Sequence, residues 1–441
     1  MQRAGAKPRV LVLGGGFGGA YAAQRLSRRL PNDWDLTLID RNNFLLFYPL
    51  LVEAGVGSLE ARHVVVPIRK FLKRGRFVMA EVRSVDLPSQ SAVIQVIGST
   101  ETTRLHYDQL IIATGSTTKL PDIPGLKEYA FQFKNLADGI DLRDRGIRLL
   151  ELANTISDPK ARKAILRVVV VGANFTGTEF AGEYQDFLIN ASKAYKQVNR
   201  EDISVVVLEK GERILTALEP ELAEYAHRHL VKRGLDIRTK MSLSEVGEHD
   251  VVLTDGSCLE TYTTVWCAGV APSPLFSQIS GLPVNKHGYI DCGKDMRIAG
   301  YENVWAVGDG ATILDDSGQP YAQTAQNATR QGVLCANNVL KTIEGEPTEP
   351  FRFNSLGSLA ALGCRTAVAK VFGFKLAGFP AWFLYRTVYL FKMPSWSRRV
   401  RIMMDWTSDL FVRAEPVQLG IRMIVRTQNE AKTRQDNVAL R

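Results

Sequence analysis

The stretch PRVLVLGGGFGGAYAAQRLSRRL, residues 8–30, decides the fold of the first part of the chain. An apolar run that predicts a buried strand leads into a glycine cluster and a helical pattern, and the next strand ends at Asp40. The spacing of Gly14, Gly16 and Gly19 is GxGxxG, which permits a tight turn and a close approach of the backbone to a pyrophosphate. A carboxylate after the second strand can accept hydrogen bonds from a ribose. The unit therefore predicts a dinucleotide-binding fold, and the alternative is a chance glycine turn in another α/β fold.

The same pattern recurs in the middle of the chain. Residues 166–177 read LRVVVVGANFTG, and a later strand ends at Glu209. Asn174 stands at the second glycine position, and asparagine tolerates left-handed backbone angles better than most residues. The long gap from Gly172 to Glu209 predicts an extended helix near residues 178–200. Two such units predict two bound dinucleotides, or one fold that has lost its ligand.

Three further apolar segments predict buried strands that end in polar turns. They are YDQLIIATGS (residues 107–116), TVWCAGV (264–270) and VWAVGDGA (304–311). The first precedes a proline-rich crossing between domains, and the last ends at Asp309 between two glycines. That aspartate can reach a ribityl or pyrophosphate group, or it can be an ordinary turn residue.

Length and composition exclude several classes of protein. The chain has 441 residues, which predicts two or three domains, and its 45% hydrophobic and 23% charged residues exclude a disordered or fibrous protein. Its five cysteines are far apart, so a disulfide scaffold, a zinc ribbon and a CxxC redox centre are not predicted, and no metal site is. The strongly apolar stretch near the C-terminus, residues 376–385, is shorter than the roughly 20 residues of a spanning helix. We therefore predict no transmembrane helix and no signal peptide.

The C-terminal region differs from the rest in charge and aromatic content. Residues 375–441 carry 12 basic and 5 acidic residues, whereas the rest carries 43 and 41. Eleven of the 38 aromatic residues lie in residues 371–411. On a helix over residues 379–391, one side would carry Phe379, Phe383, Arg386 and Leu390, and another would carry Trp382, Tyr385 and Tyr389. Such a segment beside Arg398, Arg399 and Arg401 predicts an interfacial helix on anionic lipid, and the alternatives are a dimer interface or a core helix.

Nucleic acid is a weaker interpretation of this region, because the aromatic residues cluster in an apolar run and do not alternate with basic residues. We therefore expect no nucleic-acid partner.

Together these segments resemble the type II NADH:quinone oxidoreductases, single-subunit flavoproteins with two dinucleotide folds. The resemblance covers roughly residues 8–410 and rests on the segments DRNNFLLFYPLLVEAGVGSLEARHVVVPIR (40–69), GTEFAGE (177–183), LEKGERIL (208–215), AQNATRQG (325–332), FNSLGSLAALG (353–363) and AWFLYRTVYLF (381–391). It implies an α/β fold with FAD in the first Rossmann-like domain, NADH in the second, and a membrane-docking C-terminal segment. The implied domains are residues 1–120 and 285–350 for FAD, 121–284 for NADH, and 351–441 for docking and the basic tail.

The resemblance also assigns site residues by motif position. Glu179 matches the active-site glutamate. The positions that would hold FAD are Gly14, Gly16, Phe17, Gly18, Gly19, Asp40, Arg41, Ala113, Thr114, Gly115, Gly308, Asp309 and Ala325. The positions that would hold NADH are Gly172, Asn174, Thr176, Gly177, Glu179, Glu209, Ala268 and Gly269. The quinone segment would contribute Gln326, Arg330 and Gln331.

The chain departs from the family pattern at two positions. Arg330 stands where the family often has a second glutamine, and Leu45 stands where it often has a histidine. Arg330 can donate to a quinone carbonyl or can pair with an acid, so the quinone type stays open. The implied partners are a membrane quinone, an anionic lipid surface and a second copy of the chain through the C-terminal region. The implied location is the cytoplasmic face of the bacterial inner membrane, or the equivalent organellar face.

Two other functions fit parts of the pattern. A sulfide:quinone oxidoreductase has the same two folds, but it needs redox cysteines beside the flavin, and Cys364 has no convincing partner in sequence. The second alternative is a membrane-tethered flavin redox sensor without turnover. Such a protein would not need a complete set of catalytic motifs, so the complete motifs of this chain argue against it.

Overall fold

The structure of the protein is a computed structural model, which describes residues 7–411 and 415–420. Part of the predicted basic tail, residues 421–441, lies outside the described residues. The helices of the described part are α1 (Phe17–Arg29), α2 (Leu51–Val56), α3 (Leu126–Tyr129), α4 (Leu136–Asn154), α5 (Pro159–Ile165), α6 (Phe175–Ser192), α7 (Pro220–Lys232), α8 (Ala325–Glu344), α9 (Phe379–Lys392) and α10 (Trp396–Phe411).

The strands of the described part are mostly short. They are β1 (Arg9–Leu13), β2 (Asp35–Asp40), β3 (Phe44–Leu46), β4 (Val65–Pro67), β5 (Arg76–Asp86), β6 (Ser91–Val96), β7 (Thr102–His106), β8 (Gln109–Ile112), β9 (Ser116–Thr118), β10 (Phe131–Gln132), β11 (Arg167–Val171), β12 (Ser204–Glu209), β13 (Asp236–Thr239), β14 (Leu243–Val246), β15 (Asp250–Leu253), β16 (Cys258–Glu260), β17 (Thr263–Trp266), β18 (Val270–Pro272), β19 (Ile279–Ser280), β20 (Ile290–Asp291), β21 (Val304–Ala306), β22 (Ala311–Thr312), β23 (Gly357–Gly363), β24 (Thr366–Val371) and β25 (Phe374–Gly378).

The chain forms two compact units. Among the described residues, the first unit contains residues 7–48, 65–117 and 270–355, and the second contains residues 49–64, 118–269, 356–411 and 415–420. Each unit contains one of the two predicted dinucleotide folds. The described chain passes between the units five times and ends in the second.

The first unit is built on a sheet with the strand order β21-β8-β1-β2-β5-β6-β7. Strand β1 is parallel to β2 and β8, and Leu13 is aligned with both Ile39 and Ile112. Side chains alternate along β1, so Val10 and Leu11 belong to different core clusters on the two faces of the sheet. This register brings the carboxyl ends of three strands, and the turns that follow them, to one edge of the sheet.

The second unit contains a five-stranded parallel sheet with the order β10-β17-β11-β12-β13. Val171 at the end of β11 is aligned with Leu208 on β12 and Trp266 on β17. The valine run of β11 is buried, which is typical of a parallel strand covered on both faces. The C-terminal part of this unit is an antiparallel sheet, β23-β24-β25, followed by α9 and α10.

Three expectations from sequence about the fold differ from the structure. Residues 49–64 were expected in the FAD domain, but they belong to the second unit. Residues 270–284 were assigned to the second fold, but β19 pairs with β5 and so extends the first sheet. The helix expected over residues 178–200 is α6, which begins at Phe175 directly after the glycine turn and ends at Ser192. A short 3₁₀ helix, Arg200–Asp202, then leads into β12.

The prediction of no transmembrane helix is confirmed for the described residues, none of whose helices is long and apolar enough to cross a membrane.

Candidate active site

The glycine turn of the first unit is packed too tightly for side chains at two of its positions. Gly14 has a φ of +101°, and a Cβ there would collide with the Ala113 carbonyl oxygen. A Cβ at Gly19 would collide with the Gly14 carbonyl oxygen. Gly16 precedes α1, its side of the turn is open, and it gives the helix no side-chain cap. The first N–H groups of α1 are therefore available to an anion, as a pyrophosphate site requires.

The acidic residue after β2 is tied to this turn. Asp40 Oδ2 accepts a hydrogen bond of 2.6 Å from the Gly15 N–H, and Oδ1 accepts one of 2.7 Å from the Asn42 N–H. Burial raises the pKa of the Asp40 carboxyl above its usual value, and the two backbone hydrogen bonds oppose that rise. The neighbouring Arg41 is exposed. The structure thus places Asp40 where the sequence predicted a ribose acceptor.

The segment after β8 contains a buried polar atom that lacks a partner. The Thr114 hydroxyl is buried and makes no hydrogen bond within the described residues. Gly115, which follows, has a φ of +66° and open space where a side chain would be. A ligand that supplies a hydrogen-bond partner for Thr114 satisfies this buried hydroxyl, and FAD is rich in such groups. The uncapped helix, Asp40 and Thr114 therefore fit a bound FAD.

The predicted phosphate-arm turn is held by two side chains. Gln331 is buried, and its Oε1 accepts a 2.9 Å hydrogen bond from the Gly308 N–H. Ser116 Oγ donates to Asp309 Oδ2 over 3.3 Å. Gln331 therefore stabilises the turn at Gly308, whereas its contact with a quinone stays a prediction.

The other FAD positions lie close to this turn in the same unit. Gly18 packs against Val307, since a Cβ there would lie 2.9 Å from Val307 Cγ2. The Phe17 ring lies 5.9 Å from the Phe47 ring. Ala325 is the first residue of α8.

Arg330 on α8 is not paired with an acid in the part of the chain that the structure describes. Its guanidinium Cζ lies 4.0 Å from the centre of the Phe353 ring, and Nη1 donates to the Gln326 carbonyl oxygen over 3.2 Å. It makes no salt bridge within the described residues. Desolvation lowers the pKa of the guanidinium from its usual value. Of the two roles left open by the sequence, the structure favours a cation that is free to donate to a ligand.

The second unit repeats the geometry of the first at its glycine turn. Gly172 has a φ of +94°, and a Cβ at Gly177 would collide with the Gly172 carbonyl oxygen. Glu209 Oε2 accepts a 2.7 Å hydrogen bond from the Ala173 N–H, and Oε1 accepts one of 2.7 Å from the Gly211 N–H. Both units therefore tie a strand-end carboxylate to the residue after the first glycine.

The expected reason for Asn174 is wrong. Its φ is −71°, so the residue is not left-handed, and the equivalent Gly16 has a φ of −69°. Asn174 is the N-cap of α6: Oδ1 accepts a 2.9 Å hydrogen bond from the Gly177 N–H, and Nδ2 donates to the Cys267 carbonyl oxygen over 2.8 Å. In the second fold an N-capping side chain therefore stands at the position that Gly16 leaves without a side chain in the first fold.

The remaining NADH positions surround this turn. Ala268 packs against Gly172, since a Cβ on the glycine would lie 2.8 Å from the Ala268 Cβ. Gly269 has a φ of +74°, and Thr176 lies in the first turn of α6. The second fold therefore offers a helix N-terminus, a ribose carboxylate and small residues at its strand ends, which fit a second dinucleotide.

Glu179 lies one turn into α6 and is an acid with a strongly altered proton affinity. Desolvation raises its pKa to about 8, and repulsion from Glu183 and Glu53 adds to the rise. The Ala361 N–H donates a 3.0 Å hydrogen bond to Glu179 Oε1, and this bond opposes the rise in pKa. A carboxyl with this pKa exchanges a proton near neutral pH, which suits a general acid or base.

Sequence reasoning missed the buried ion pair beside this acid. Glu53 on α2 is 4% exposed, and its Oε2 accepts hydrogen bonds from Trp406 Nε1 over 2.6 Å and from Arg386 Nη2 over 3.4 Å. Burial raises the pKa of Glu53, and the charge of Arg386 opposes that rise. The signal in the sequence is a single acid inside the apolar run LLVEAGV (residues 50–56).

Arg386 also corrects the expected faces of α9. The predicted helix is confirmed, but Arg386 does not lie on the exposed side with Phe379 and Phe383. Its guanidinium lies 4.2 Å from the Trp382 ring centre and 4.8 Å from the Trp406 ring centre, and its side chain is 15% exposed. The inner face of α9 thus carries a cation held between two indoles.

Comparisons with known proteins agree with this arrangement. The family model "Pyridine nucleotide-disulphide oxidoreductase" matches residues 8–332, and the model "NDH2 C-terminal domain" matches residues 356–414. A type II NADH:quinone oxidoreductase of Staphylococcus aureus is 30% identical over 392 residues, which are 87% of this chain and 94% of the relative. The chain belongs to the type II NADH:quinone oxidoreductase family.

Other relatives of this type II family member span nearly the whole chain. The demethylphylloquinone reductase NdbB of Synechocystis is 31% identical over 413 residues, covering 91% of this chain and 96% of the relative. The solved structure of NDH2 from Plasmodium falciparum in complex with NADH has a TM-score of 0.85 at 21% identity and covers 93% of this chain and 100% of that one. At that identity the likeness shows the fold alone.

The same fold occurs in the sulfide:quinone oxidoreductase of Aquifex aeolicus, with a TM-score of 0.68 at 16% identity, covering 92% of this chain and 96% of that one. In this member of the type II family all five cysteines are free thiols, and Cys335 is buried in the first unit's core. The described residues form no disulfide.

Proposed function

We propose that this type II family member oxidises NADH and reduces a membrane quinone, with FAD as its bound cofactor. The observation that carries the proposal is the repeated fold, in which each unit ties a strand-end carboxylate to a glycine turn at a helix start. When bound, FAD accepts a hydride from NADH and passes two electrons to the quinone. The protein's own part is to bind, to orient and to hold protons.

Steady-state kinetics test this activity. NADH oxidation with a short-chain quinone should form one quinol per NADH, and protein stripped of FAD should show none until FAD is restored. Sustained sulfide oxidation, or flavin reduction without turnover, would favour one of the alternatives.

We assign FAD to the first unit on the features that fit it. The turn around Gly14 and the start of α1 would hold the pyrophosphate, and Asp40 would accept from the adenosine ribose. Thr114 would donate its hydroxyl to the flavin side of the cofactor, and the turn at Asp309 would contact the ribityl-phosphate arm.

We assign NADH to the second unit, with Glu209 as the ribose acceptor. A carboxylate there accepts bonds from free 2′- and 3′-hydroxyls and repels a 2′-phosphate. Arg213 does not offset that repulsion, because its guanidinium donates to the carbonyl oxygens of Leu218 over 3.1 Å and Thr216 over 2.9 Å. Lys210 is exposed and directly follows Glu209 in the sequence.

We expect the protein to prefer NADH over NADPH by at least about tenfold in kcat/KM, since a carboxylate facing a phosphate costs more than 1.4 kcal/mol. Glu209→Gln should reduce this preference, because the amide can still accept a hydrogen bond but carries no charge. Steady-state kinetics with both donors measure it, and Glu212→Gln is the matched control on the exposed side of the same loop. Equal efficiency with both donors in the wild-type protein would contradict the assignment.

We propose that Gln326 and Arg330 contact the quinone. The support is chemical: Arg330 is a partly desolvated cation without an acidic partner among the described residues, and a quinone carbonyl accepts hydrogen bonds. Neither residue is assigned a proton-transfer role.

We propose that the protein is a peripheral membrane protein that docks through an aromatic surface of the second unit, on the cytoplasmic face of a bacterial inner membrane or its organellar equivalent. The aromatic surface consists of Phe372, Phe374, Phe379, Phe383, Phe391, Trp396, Met404 and Phe411, each of which is more than half exposed. Exposed apolar side chains at this density are unusual on a water-soluble surface and suit burial in lipid.

The basic residues beside this surface contribute unequally. Arg401 is exposed, whereas Arg399 Nε donates to the Met393 carbonyl oxygen over 2.7 Å and Arg398 is partly buried. Desolvation and the nearby Arg401 and Arg62 lower the pKa of Arg398. The attraction to anionic lipid therefore comes mainly from the exposed cations, at about 1 kcal/mol each near the surface.

We expect the triple change Phe372→Ser, Phe374→Ser, Trp396→Ser to weaken binding to anionic vesicles by at least about tenfold, because each exposed aromatic group loses its apolar burial in lipid. Vesicle co-sedimentation at low and high salt measures it, with FAD content as the folding control. Tyr129→Ser, an exposed aromatic change on α3, is the matched control. Undiminished binding of the triple variant would contradict docking through this surface.

The same surface is our candidate for a homodimer contact. Sedimentation without vesicles separates the two roles: a dimer that the triple change dissociates supports self-association.

A further inference from the structure

A cavity in the first unit lies far along the sheet from the glycine turn. Its volume is about 480 Å³, and it is lined by the first residues of three strands, Arg9 on β1, Asp35 on β2 and Arg76 on β5. The glycine turn follows the last residue of β1, so the cavity occupies the amino ends of the strands and the dinucleotide site the carboxyl ends. The cavity is therefore separate from the predicted dinucleotide site at the glycine turn of the first unit.

Four cations and one acid line this cavity. The cations are Lys7, Arg9, Arg74 and Arg76, and the acid is Asp35. None of the four cations makes a salt bridge within the described part of the chain. Like charges gathered around one concave space repel each other, and an anionic ligand relieves that repulsion.

The side-chain hydrogen bonds of these cations go to neutral groups, whereas the backbone N–H of Arg9 donates to Asp108 Oδ2 over 2.7 Å. Lys7 Nζ donates to the Asn32 carbonyl oxygen over 2.8 Å, and Arg74 Nη1 donates to the Asn32 side chain. Arg9 Nη1 donates to the His106 carbonyl oxygen over 3.4 Å, and its Nε is buried without a partner among the described residues. Each of these groups keeps N–H donors for a further acceptor.

The rest of the wall is apolar. It contains the Trp34 indole and aliphatic side chains from four neighbouring strands, namely Leu36, Val78, Ile94 and Leu105. A volume of about 480 Å³ lies in the range of small-ligand sites. A cavity whose lining combines guanidinium groups with an indole and aliphatic side chains suits a ligand that has an anionic part and a flat, weakly polar part.

We propose that this cavity binds a nucleoside phosphate, with the phosphates on Arg9, Arg74 and Arg76 and the base against Trp34 and the aliphatic wall. Three guanidinium groups and one ammonium group exceed the charge of a single carboxylate, so a phosphate chain matches the site better than a fatty acid does. Arginine forks bind phosphate oxygens in pairs, which adds geometric fit. The proposal does not depend on the quinone reductase function, because it concerns binding in a separate cavity.

Direct titration of ADP into the FAD-loaded protein tests this site. Saturating NAD⁺ is present throughout, so that the NADH fold is occupied and cannot report ADP. We expect saturable ADP binding that the double change Arg74→Gln, Arg76→Gln weakens by about tenfold or more. Arg83→Gln is the matched control, since Arg83 lies on β5 outside the cavity and pairs with Glu81 over 3.1 Å.

FAD content and NAD⁺ affinity of the double variant show whether it is folded, and both should equal those of the wild type. The proposal fails if the wild type binds no ADP under NAD⁺ saturation, or if the double change leaves ADP affinity unaltered in folded protein. Inorganic pyrophosphate and dodecanoate are titrated in parallel. Pyrophosphate binding as tight as ADP would overturn the role of the base, and dodecanoate binding tighter than ADP would overturn the phosphate assignment.

Discussion

Glu179→Gln is expected to slow NADH-dependent quinone reduction by about 10²- to 10⁴-fold, the usual contribution of a general acid or base, while FAD stays bound. The reason is the protonated state of the carboxyl: desolvation raises the pKa of Glu179 to about 8, so the group carries a proton near neutral pH. Glutamine has the same shape and can accept a hydrogen bond from the Ala361 N–H, but it cannot release a proton.

The pH profile provides a second test of Glu179. If the protonated carboxyl is the active form, wild-type turnover should fall as pH rises through about 8, and the variant should lack that limb. The free energy of unfolding should also decrease as pH rises. The pKa of Glu179 is raised above 4.5 in the folded state, so its contribution to stability is present below pH 4.5 and is lost as pH rises through about 8.

The matched control for Glu179 is Glu183→Gln, one helical turn away. Desolvation raises the pKa of Glu183 to about 8 as well, so both substitutions remove a similar partly buried acid from α6. Stopped-flow and steady-state rates should fall far more in Glu179→Gln. If Glu179→Gln turns over at the wild-type rate, the acid–base role is contradicted and Glu179 has a structural role only.

Arg386→Leu is expected to destabilise the folded protein by about 3–5 kcal/mol, the usual cost of leaving one partner of a buried ion pair uncompensated. The remaining charge would be that of Glu53, whose side chain is 6% exposed. Among the described residues it would keep only the Trp406 indole as a hydrogen-bond donor. The packing of the guanidinium between two indole rings would be lost at the same time. The urea midpoint of unfolding, followed by tryptophan fluorescence, measures the effect.

The double variant Glu53→Leu, Arg386→Leu separates charge from packing. It leaves no unpaired charge, so it should recover most of the lost stability, since apolar replacements of buried ion pairs are often neutral. Lys375→Leu, which removes an exposed cation paired with Glu221 on the same unit, should change the midpoint little. If Arg386→Leu and the double variant were equally stable, the loss of stability would not come from an unpaired charge on Glu53.

The parts of the fold that sequence predicted are those that depend on local pattern. The glycine turns at Gly14 and Gly172, and the acids at the ends of β2 and β12, follow from backbone geometry within one βαβ unit. Glu179 could be placed only through the family resemblance. The helix α9 was predicted from its apolar run.

The parts that sequence missed depend on contacts between distant segments. Glu53 meets Arg386 and Trp406 only because residues 49–64 fold into the second unit, which no local pattern indicates. Asn174 was interpreted from its backbone tolerance, whereas its function is a side-chain cap. Both errors arise because a polar side chain in an apolar or glycine-rich context takes its role from its partner.

An anaerobic spectral titration tests the central claim most directly. One equivalent of NADH per bound FAD should bleach the yellow absorbance of the flavin, and one equivalent of a short-chain quinone should restore it. Flavin that stays oxidised with NADH, or that stays bleached after quinone is added, would contradict an NADH:quinone oxidoreductase.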